Sequence, residues 1–369
     1  MEKIKIIEFF GEPLNYGGQE AFIINVYSKI DKTYFEFTFI TPFECENLQL
    51  KEMIVNNGDH LIVDNKLFES KLRKKSILDT AMKYINNTYD IIHIHSGSVF
   101  TLYNVAKISK EKGIEKVIVH SHSTGKNNIK YKIIKYLSDR NITKYADYYF
   151  ACSEDAAKFK FPKRIIENDL YQVITNGIDL TKYKFNEKIR QDNRKKLNIN
   201  DDDIVLGNVG RLSDEKNQLF IIDILYELVK DNSKYKLLLI GEGPLKDKIV
   251  SKINNLKLNS NVIMLDKIND VYTLLMAMDI FIFPSKYEGF GLALIEAEAI
   301  GLPSLCSISI PDRTIINNNC IRIKDFLIKN WIDEIKKIDL YRKTNYDKLN
   351  LYSIDNTVKQ IYNVYYKNK

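Results

Sequence analysis

Short apolar segments that alternate with amphipathic stretches constrain the fold of this chain more than any other feature. In the first half the apolar segments are residues 3–10, 34–41, 89–95, 116–120, 147–152 and 171–175, and in the second half 204–209, 236–240, 261–265, 280–283, 303–307 and 321–323. The stretches between them have the spacing of helices, and glycines such as Gly113 and Gly301 end two of these. Such alternation predicts right-handed β-α-β units and mostly parallel sheets, which bind ligands beyond the carboxyl ends of their strands.

The length and one interruption of the alternation predict two domains. A chain of 369 residues is long for a single core. The sequence Asn176-Gly177-Ile178-Asp179 breaks the pattern with a turn signal. We therefore predict a first domain over residues 1–178, a second over 179–350 and a terminal helical segment over 351–369.

Composition and charge exclude several classes of protein. The net charge of +7 is spread over both halves, which argues against a dedicated nucleic-acid binder. No run approaches the ~20 apolar residues needed to span a membrane, and the opening residues are typical of a first strand rather than a signal peptide. Four widely spaced cysteines indicate buried thiols in a reducing compartment: Cys45, Cys152, Cys306 and Cys320.

The most informative single stretch is residues 279–303, which combines an apolar strand, a glycine-containing loop and a helix from Leu292. Free N–H groups at the start of such a helix favour an anion. Yet Glu288 lies in the loop and Glu296 one turn inside the helix. Acids beside an anion site are reasonable when they bind hydroxyls of a ligand whose phosphates lie on the amides, which indicates a sugar nucleotide.

Two cations occupy the corresponding loop after the strand at 204–209. Arg211 suits bidentate phosphate contact, and Lys216 supplies a point charge. Together with two helix N-termini, they could neutralise a diphosphate leaving group without a metal ion. The alternative is an ordinary surface pair with Asp214 or Glu215.

Four histidines lie at the ends of two predicted strands: His93, His95, His120 and His122. Their His-x-His spacing would suit zinc, but clear third and fourth ligands are lacking, so no metal site is predicted. His93 lies in a strand interior and is interpreted as structural. His120 and His122, nearer the strand end, are the candidates for substrate contact, and the choice between them stays open.

The loop that ends in Gly17-Gly18 follows the first strand and precedes a helix. It is either a phosphate cradle or a plain tight turn. A G-x-G-x-x-G pattern is absent from the sequence, which disfavours a nicotinamide-dependent oxidoreductase.

Residues 126–144 form a basic, amphipathic segment with Lys126, Lys130, Lys132, Lys135, Arg140 and Lys144. It fits an anionic membrane surface and fits a solvated helix face equally well.

In order and spacing, these motifs resemble the family 4 retaining glycosyltransferases of the GT-B fold, especially those that build bacterial capsular and exopolysaccharides. The frame from Glu288 to Glu296, E-G-F-G-L-A-L-I-E, is the most specific part. The supporting motifs are Gly17-Gly18-Gln19-Glu20, His120-Ser121-His122-Ser123, Asn176-Gly177-Ile178-Asp179, Gly210-Arg211-Leu212 with Glu215-Lys216-Asn217, and Gly241-Glu242-Gly243-Pro244. The resemblance implies an α/β fold with two Rossmann-like parallel-sheet domains facing a cleft, and a last helix that crosses back to the first domain.

The resemblance also implies residue roles. Glu288 would contact the transferred sugar, as would His120 or His122, with His122 favoured. Glu296 would bind the ribose, and Arg211 and Lys216 the diphosphate. The remaining donor-binding residues would be Gly17, Gly18, Glu242, Gly243, Gly289, Phe290, Gly291 and Leu292.

The implied reaction moves a sugar, with retention, from a UDP- or GDP-sugar to a hydroxyl of a lipid-linked glycan. No cofactor or metal ion is expected, and the enzyme would be cytoplasmic or peripheral at the inner face of the membrane. The alternative is a catalytically silent, sugar-nucleotide-binding partner of another transferase. Two departures from the family pattern are the order Ser307-Ile308-Ser309-Ile310-Pro311 and Asp266 in place of a glycine.

Overall fold

A computed structural model describes residues 2–15, 17–68, 71–122, 142–266, 268, 270–288 and 290–366. It divides the chain into two compact units, Met1–Ile178 with Ile354–Lys369, and Asp179–Ser353. The basic segment predicted at 126–144 lies outside the described residues except for a short 3-10 turn, Ile142–Lys144. No helix within the described ranges is long and apolar enough to cross a membrane.

The first unit is built on a seven-stranded parallel sheet in the order β3-β2-β1-β4-β5-β6-β7. Its strands are β1 Ile4–Phe10, β2 Phe35–Thr41, β3 His60–Val63, β4 Ile91–His95, β5 Lys116–Ser121, β6 Tyr148–Ala151 and β7 Gln172–Val173. Its helices are α1 Gly18–Lys29, α2 Leu48–Asn56, α3 Arg73–Tyr84, α4 Val99–Glu111, α5 Glu154–Lys160 and α6 Lys163–Glu167, together with the last helix of the chain, Ile354–Tyr366. Apolar runs fill both faces of the sheet because helices cover both.

The second unit contains a six-stranded parallel sheet in the order β10-β9-β8-β11-β12-β13. Its strands are β8 Ile204–Val209, β9 Tyr235–Ile240, β10 Val262–Leu265, β11 Ile280–Phe283, β12 Ser304–Ser307 and β13 Cys320–Ile323. Its helices are α7 Glu187–Lys196, α8 Gln218–Asp231, α9 Lys246–Asn255, α10 Val271–Ala277, α11 Leu292–Ala299, α12 Ile328–Lys337 and α13 Tyr346–Leu349, and the last helix of the chain is therefore α14.

Each sheet reverses its strand order at one place, between β1 and β4 in the first and between β8 and β11 in the second. Loops diverge at such a point and leave a crevice beyond the carboxyl ends of the strands. The strand order therefore predicts where each unit can bind a ligand. The four cysteines are free thiols, of which Cys45, Cys152 and Cys306 are buried as predicted, whereas Cys320 is only partly buried.

Candidate functional site

The loops that follow β8 and β11 bring Lys216 and Glu288 together. Because the two strands are neighbours in the sheet, residues shortly beyond their carboxyl ends can meet. The Lys216 ammonium makes an ion pair with the Glu288 carboxylate, and these side chains are 24% and 12% exposed. Within the described chain, Lys216 pairs with Glu288 rather than with Asp214 or Glu215. An ammonium group that can bind phosphate and a carboxylate that can accept hydrogen bonds from hydroxyls thus lie side by side.

Arg211 occupies the same loop, but its side chain is exposed and makes no ion pair with any residue that the structure describes. Its carbonyl accepts a 3.0 Å hydrogen bond from Nε2 of Gln218, whose Oε1 accepts one from the Ser213 amide at 3.2 Å. Gln218 is fully buried, and these two hydrogen bonds fix the backbone of the loop at Arg211 and Ser213. Gln218 could not be recognised from the sequence, because a glutamine at a helix start carries no motif.

The turn that contains Glu242 and Gly243 supports the Arg211 loop from the next strand. The Leu212 amide donates to the Glu242 carbonyl at 2.8 Å. Gly243 has a φ of +157°, and a Cβ at that position would lie 2.4 Å from the Leu212 carbonyl oxygen. Only glycine permits this approach of two backbones. Glu242 and Gly243 therefore shape the loop that carries the cations.

We expect Gly243→Ala to displace the Leu212 backbone, to lower the free energy of unfolding by about 1–3 kcal/mol and to weaken UDP binding. Gly58→Ala is the matched control, because Gly58 also has a positive φ (+73°) but nothing lies within 4 Å of its would-be Cβ. Chemical denaturation and calorimetric titration with UDP would measure both effects. Unchanged UDP affinity in Gly243→Ala would contradict the supporting role of this turn.

The N-terminus of α11 directly follows the loop that carries Glu288, and it has no side-chain cap within the described residues. Gly291 precedes the helix with a φ of +82°, and a Cβ there would lie 3.0 Å from Thr314 Cγ2. The Thr314 hydroxyl donates to the Phe290 carbonyl at 2.7 Å, and Phe290 is buried against Tyr352. These contacts fix the loop ahead of Leu292, whose amide belongs to the first turn. Gly289 lies outside the described residues.

Glu296 lies one turn into α11 and accepts a 2.7 Å hydrogen bond from the hydroxyl of Tyr183. Burial raises the pKa of Glu296 to about 7, and the Tyr183 hydrogen bond opposes that shift. Tyr183 itself is buried and packs edge-on against Tyr272. Tyr183 could not be recognised from the sequence, because its partner is 113 residues away.

Glu298, two residues further on, is fully buried and holds the backbone of the following segment. It accepts hydrogen bonds from the amides of Ile316 at 2.9 Å and Asn317 at 3.2 Å. Burial raises the pKa of Glu298 to about 7. We interpret this carboxylate as structural.

In the first unit, Gly17 precedes α1 and Gly18 is its first residue. No described side chain caps this helix either, while the Gly18 carbonyl accepts a 2.9 Å hydrogen bond from Asn176 Nδ2. In return, Asn25 Nδ2 donates to the Gly177 carbonyl at 3.0 Å. The turn that the sequence places at the domain boundary thus fixes the start of α1.

His120 and His122 belong to a buried polar cluster on one face of the first sheet. Strand register places His95 beside His120, and Glu8 beside His93. His95 lies 2.6 Å from Glu8 through Nε2 and 2.8 Å from His122 Nε2 through Nδ1. On the other side, His93 lies 3.1 Å from His120 Nδ1 through Nε2.

The sixth member of the cluster is Tyr365 of α14, whose hydroxyl lies 2.6 Å from His93 Nδ1 and donates to Glu8 Oε1 at 2.7 Å. Burial raises the pKa of Glu8 to about 8 and lowers the pKa of His122 to about 3. Burial also places the pKa values of His93, His95 and His120 well below the usual range. These imidazoles are therefore neutral at physiological pH.

The ligand nitrogens of His93, His95 and His120 lie within 4.8 Å of one another, which supplies in space the third ligand that the sequence lacked. Both nitrogens of His93 and both of His95 are already engaged in the hydrogen bonds described above. The hydrogen bonds account for this grouping, so we assign no metal to it.

The comparisons with known proteins agree with this architecture. A family model of the glycosyl transferases group 1 matches residues 189–338, and one of glycosyltransferase family 4 matches residues 16–182. EpsF of Bacillus subtilis, which is named as a glycosyltransferase, is 29% identical over 308 residues, covering 81% of this chain and 78% of EpsF. An Escherichia coli protein named UDP-Gal:alpha-D-GlcNAc-diphosphoundecaprenol alpha-1,3-galactosyltransferase is 27% identical over 302 residues, covering 76% and 72%.

A solved structure shows the same fold over nearly the whole chain. HepE of Anabaena, crystallised with UDP and glucose, superposes with a TM-score of 0.76 at 17% identity, covering 98% of this chain and 99% of HepE. The chain contains two Rossmann-like parallel-sheet units, and a glycosyltransferase family model matches each half. The chain therefore belongs to the glycosyltransferases of the GT-B fold.

Proposed function

We propose that this glycosyltransferase moves a sugar, with retention of anomeric configuration, from a UDP-sugar to a hydroxyl of a lipid-linked glycan during synthesis of a bacterial surface polysaccharide. The observation that carries the proposal is the Lys216–Glu288 pair beside the uncapped start of α11. In the bound state Lys216 and the α11 amides hold the diphosphate, while Glu288 accepts hydrogen bonds from sugar hydroxyls. Glu296 binds the ribose, and His120 or His122 contacts the sugar.

The chemistry needs charge stabilisation more than a covalent partner. As the bond from the anomeric carbon to phosphate breaks, negative charge grows on the leaving diphosphate, where a fixed ammonium and helix amides lower the barrier. The departing phosphate oxygen accepts the proton of the attacking hydroxyl on the same face, which retains the configuration. We propose that no metal ion is required, because these cationic groups supply the charge.

The choice of donor and acceptor is supported by the named relatives. One curated relative is named for UDP-Gal as donor and a diphosphoundecaprenol-linked sugar as acceptor. HepE was crystallised with UDP and glucose. Both agree with a uridine nucleotide, and the first agrees with a lipid-linked acceptor.

A donor screen tests this proposal. The purified chain is incubated with UDP- and GDP-sugars and a polyprenyl-diphosphate sugar acceptor, and nucleoside diphosphate release and the product anomer are measured. We expect UDP release with one UDP-sugar and an α-linked product from an α-linked donor. Binding of the donor without any nucleoside diphosphate release would instead indicate a silent partner subunit, and an inverted product would contradict retention.

We also propose that residues 126–144 place the enzyme on the inner face of the membrane, where a lipid-linked acceptor would be found. Replacing Lys130, Lys132 and Lys135 together with glutamine is expected to weaken binding to vesicles of phosphatidylglycerol, because each lysine near an anionic surface contributes about 1 kcal/mol. Sedimentation with these vesicles measures the effect, and neutral phosphatidylcholine vesicles are the control. Equal binding of wild type and variant to anionic vesicles would refute the membrane role.

A further inference from the structure

The buried polar cluster of the first unit is one continuous hydrogen-bonded chain. From one end it runs His120 Nδ1 to His93 Nε2 at 3.1 Å, then His93 Nδ1 to the Tyr365 hydroxyl at 2.6 Å. Tyr365 continues to Glu8 Oε1 at 2.7 Å.

The other half of the chain starts from the second oxygen of the same carboxylate. Glu8 Oε2 lies 2.6 Å from His95 Nε2, and His95 Nδ1 lies 2.8 Å from His122 Nε2. The two ends are His120 Nε2 and His122 Nδ1, which are buried and have no hydrogen-bond partner among the described residues. Glu8 thus lies in the middle, with one arm to each terminal nitrogen.

Proton counting restricts the states of this chain. Its five hydrogen bonds each hold one proton, and four neutral imidazoles with one phenol supply five. When Glu8 is ionised, the five protons fill the five bonds, so both terminal nitrogens carry lone pairs. When Glu8 binds a proton, the chain contains six protons for five hydrogen bonds. The sixth proton must therefore reside on a terminal nitrogen, either His120 Nε2 or His122 Nδ1. The neutral chain therefore presents one N–H donor and one acceptor.

We propose that Glu8, Tyr365, His93 and His95 are positioning residues that set the tautomers of His120 and His122 through this chain, so that the two open nitrogens present one donor and one acceptor to a hydroxyl group. A hydroxyl both donates and accepts, and a donor–acceptor pair matches it. The assignment of that hydroxyl to the transferred sugar rests on the proposed function. The proton chain itself does not.

The surroundings favour the neutral chain. The groups that face Glu8 are His93 and His95 of β4, His120 and His122 beyond them, and Tyr365 of α14, and none is cationic at neutral pH. Burial raises the pKa of Glu8 to about 8. The neutral chain therefore predominates below about pH 8, and both ends become acceptors above it. Since the sites are coupled, the change belongs to the chain as a whole.

Histidine ring NMR of the ligand-free protein, followed from about pH 6 to 10, tests the chain directly. In wild type we expect the ring nitrogens of His120 and His122 to shift together, in one step near pH 8, without forming imidazolium. Glu8→Gln keeps the shape but cannot ionise, and it should abolish the step. Tyr365→Phe cuts the arm to His93, and it should abolish the step at His120 while His122 keeps it.

A matched control is Tyr149→Phe, which removes another buried tyrosine hydroxyl of the same unit, bonded to the Ala146 carbonyl at 3.1 Å. It should leave the step unchanged. Independent titration of the two histidines, or a step that survives in Glu8→Gln, would overturn the proposal. So would zinc found in the purified protein, because a metal ion would occupy the lone pairs that carry the protons. If Glu8→Gln fails to fold, the Tyr365→Phe spectra test the proposal: a step that persists at His120 would overturn it.

The pH profile of kcat/KM with the preferred UDP-sugar gives the functional readout. Wild type should lose activity above the same midpoint, and Glu8→Gln should show a profile without that step. A coupled NMR step without any effect on the profile would retain the proton chain and reject its contact with the sugar. Absence of turnover in wild type would reject the proposed function and leave the NMR result standing.

Discussion

Lys216→Ala is expected to lower kcat/KM with the donor about 10²–10³-fold, the loss typical when one group that stabilises leaving-group charge is removed. Glu288→Ala should cause a loss of similar size, because the sugar hydroxyls lose their acceptor. The two residues form one ion pair in the structure, so each variant also leaves its partner unpaired. Initial rates of UDP release measure the effect.

The control for Lys216 is Lys252→Ala. Lys252 also lies in the second unit, is 27% exposed, pairs with Asp223 at 2.6 Å and donates to the Leu219 carbonyl at 3.0 Å, and it pairs with neither Glu288 nor a residue of the 210–217 loop in the described chain. Its activity should match wild type. Thermal unfolding of all variants separates lost chemistry from lost folding. Wild-type turnover in folded Lys216→Ala would refute the site.

Asp279→Ala is expected to lower the free energy of unfolding of the second unit by about 3–5 kcal/mol. The Asp279 carboxylate accepts from Arg194 Nη1 at 3.1 Å, from Arg190 Nη2 at 2.6 Å and from the Val205 amide at 2.8 Å. Arg194 is only 3% exposed and stays buried in the variant without its counterion. A buried guanidinium that keeps only carbonyl partners and lacks a counterion is the physical cause of the loss.

Urea denaturation measures this loss, and Asp202→Ala is the control. Asp202 makes an exposed ion pair with Lys234 at 2.5 Å, of the kind that contributes little to stability. Its variant should denature with the midpoint of wild type. An equal midpoint for Asp279→Ala would show that the Asp279 network is dispensable.

The strand and helix pattern could be predicted because both sheets are buried on both faces. Each buried strand therefore has apolar residues at successive positions and appears in the sequence as a continuous apolar run. The predicted strand at 204–209 and that at 280–283 match β8 and β11 to the residue. Ser153 is of a residue type favoured at N-caps; it precedes α5, and its side chain accepts from the Ala156 amide. Local signals of this kind need no knowledge of the tertiary structure.

A strand and a helix were missed for physical reasons. Strand His60–Val63 is an edge strand and is only partly buried, so its sequence lacks a strong apolar run. Helix Leu48–Asn56 buries only Leu50 and Ile54, too few residues to set a periodicity. The packing that stabilises both is not local.

The candidate site was predictable in part for the same reason. Glu288 and Lys216 stand in short motifs at strand ends, so their loops could be recognised from sequence. Tyr365 and Glu8 are 357 residues apart and meet only in the folded chain. Similarly, the partner of Glu296 is Tyr183, which stands in no motif. Contacts of this kind depend on the topology of the sheet rather than on spacing.

In the proposed complex, the β8 loop and the start of α11 hold the diphosphate of a uridine nucleotide while Glu296 holds its ribose. Calorimetric titration with UDP and with uridine separates these contacts. Lys216→Ala should weaken UDP binding about 10–100-fold, the range of a charge-assisted hydrogen bond, and leave uridine binding unchanged, whereas Glu296→Ala should weaken both. Unchanged UDP affinity in folded Lys216→Ala would contradict this arrangement.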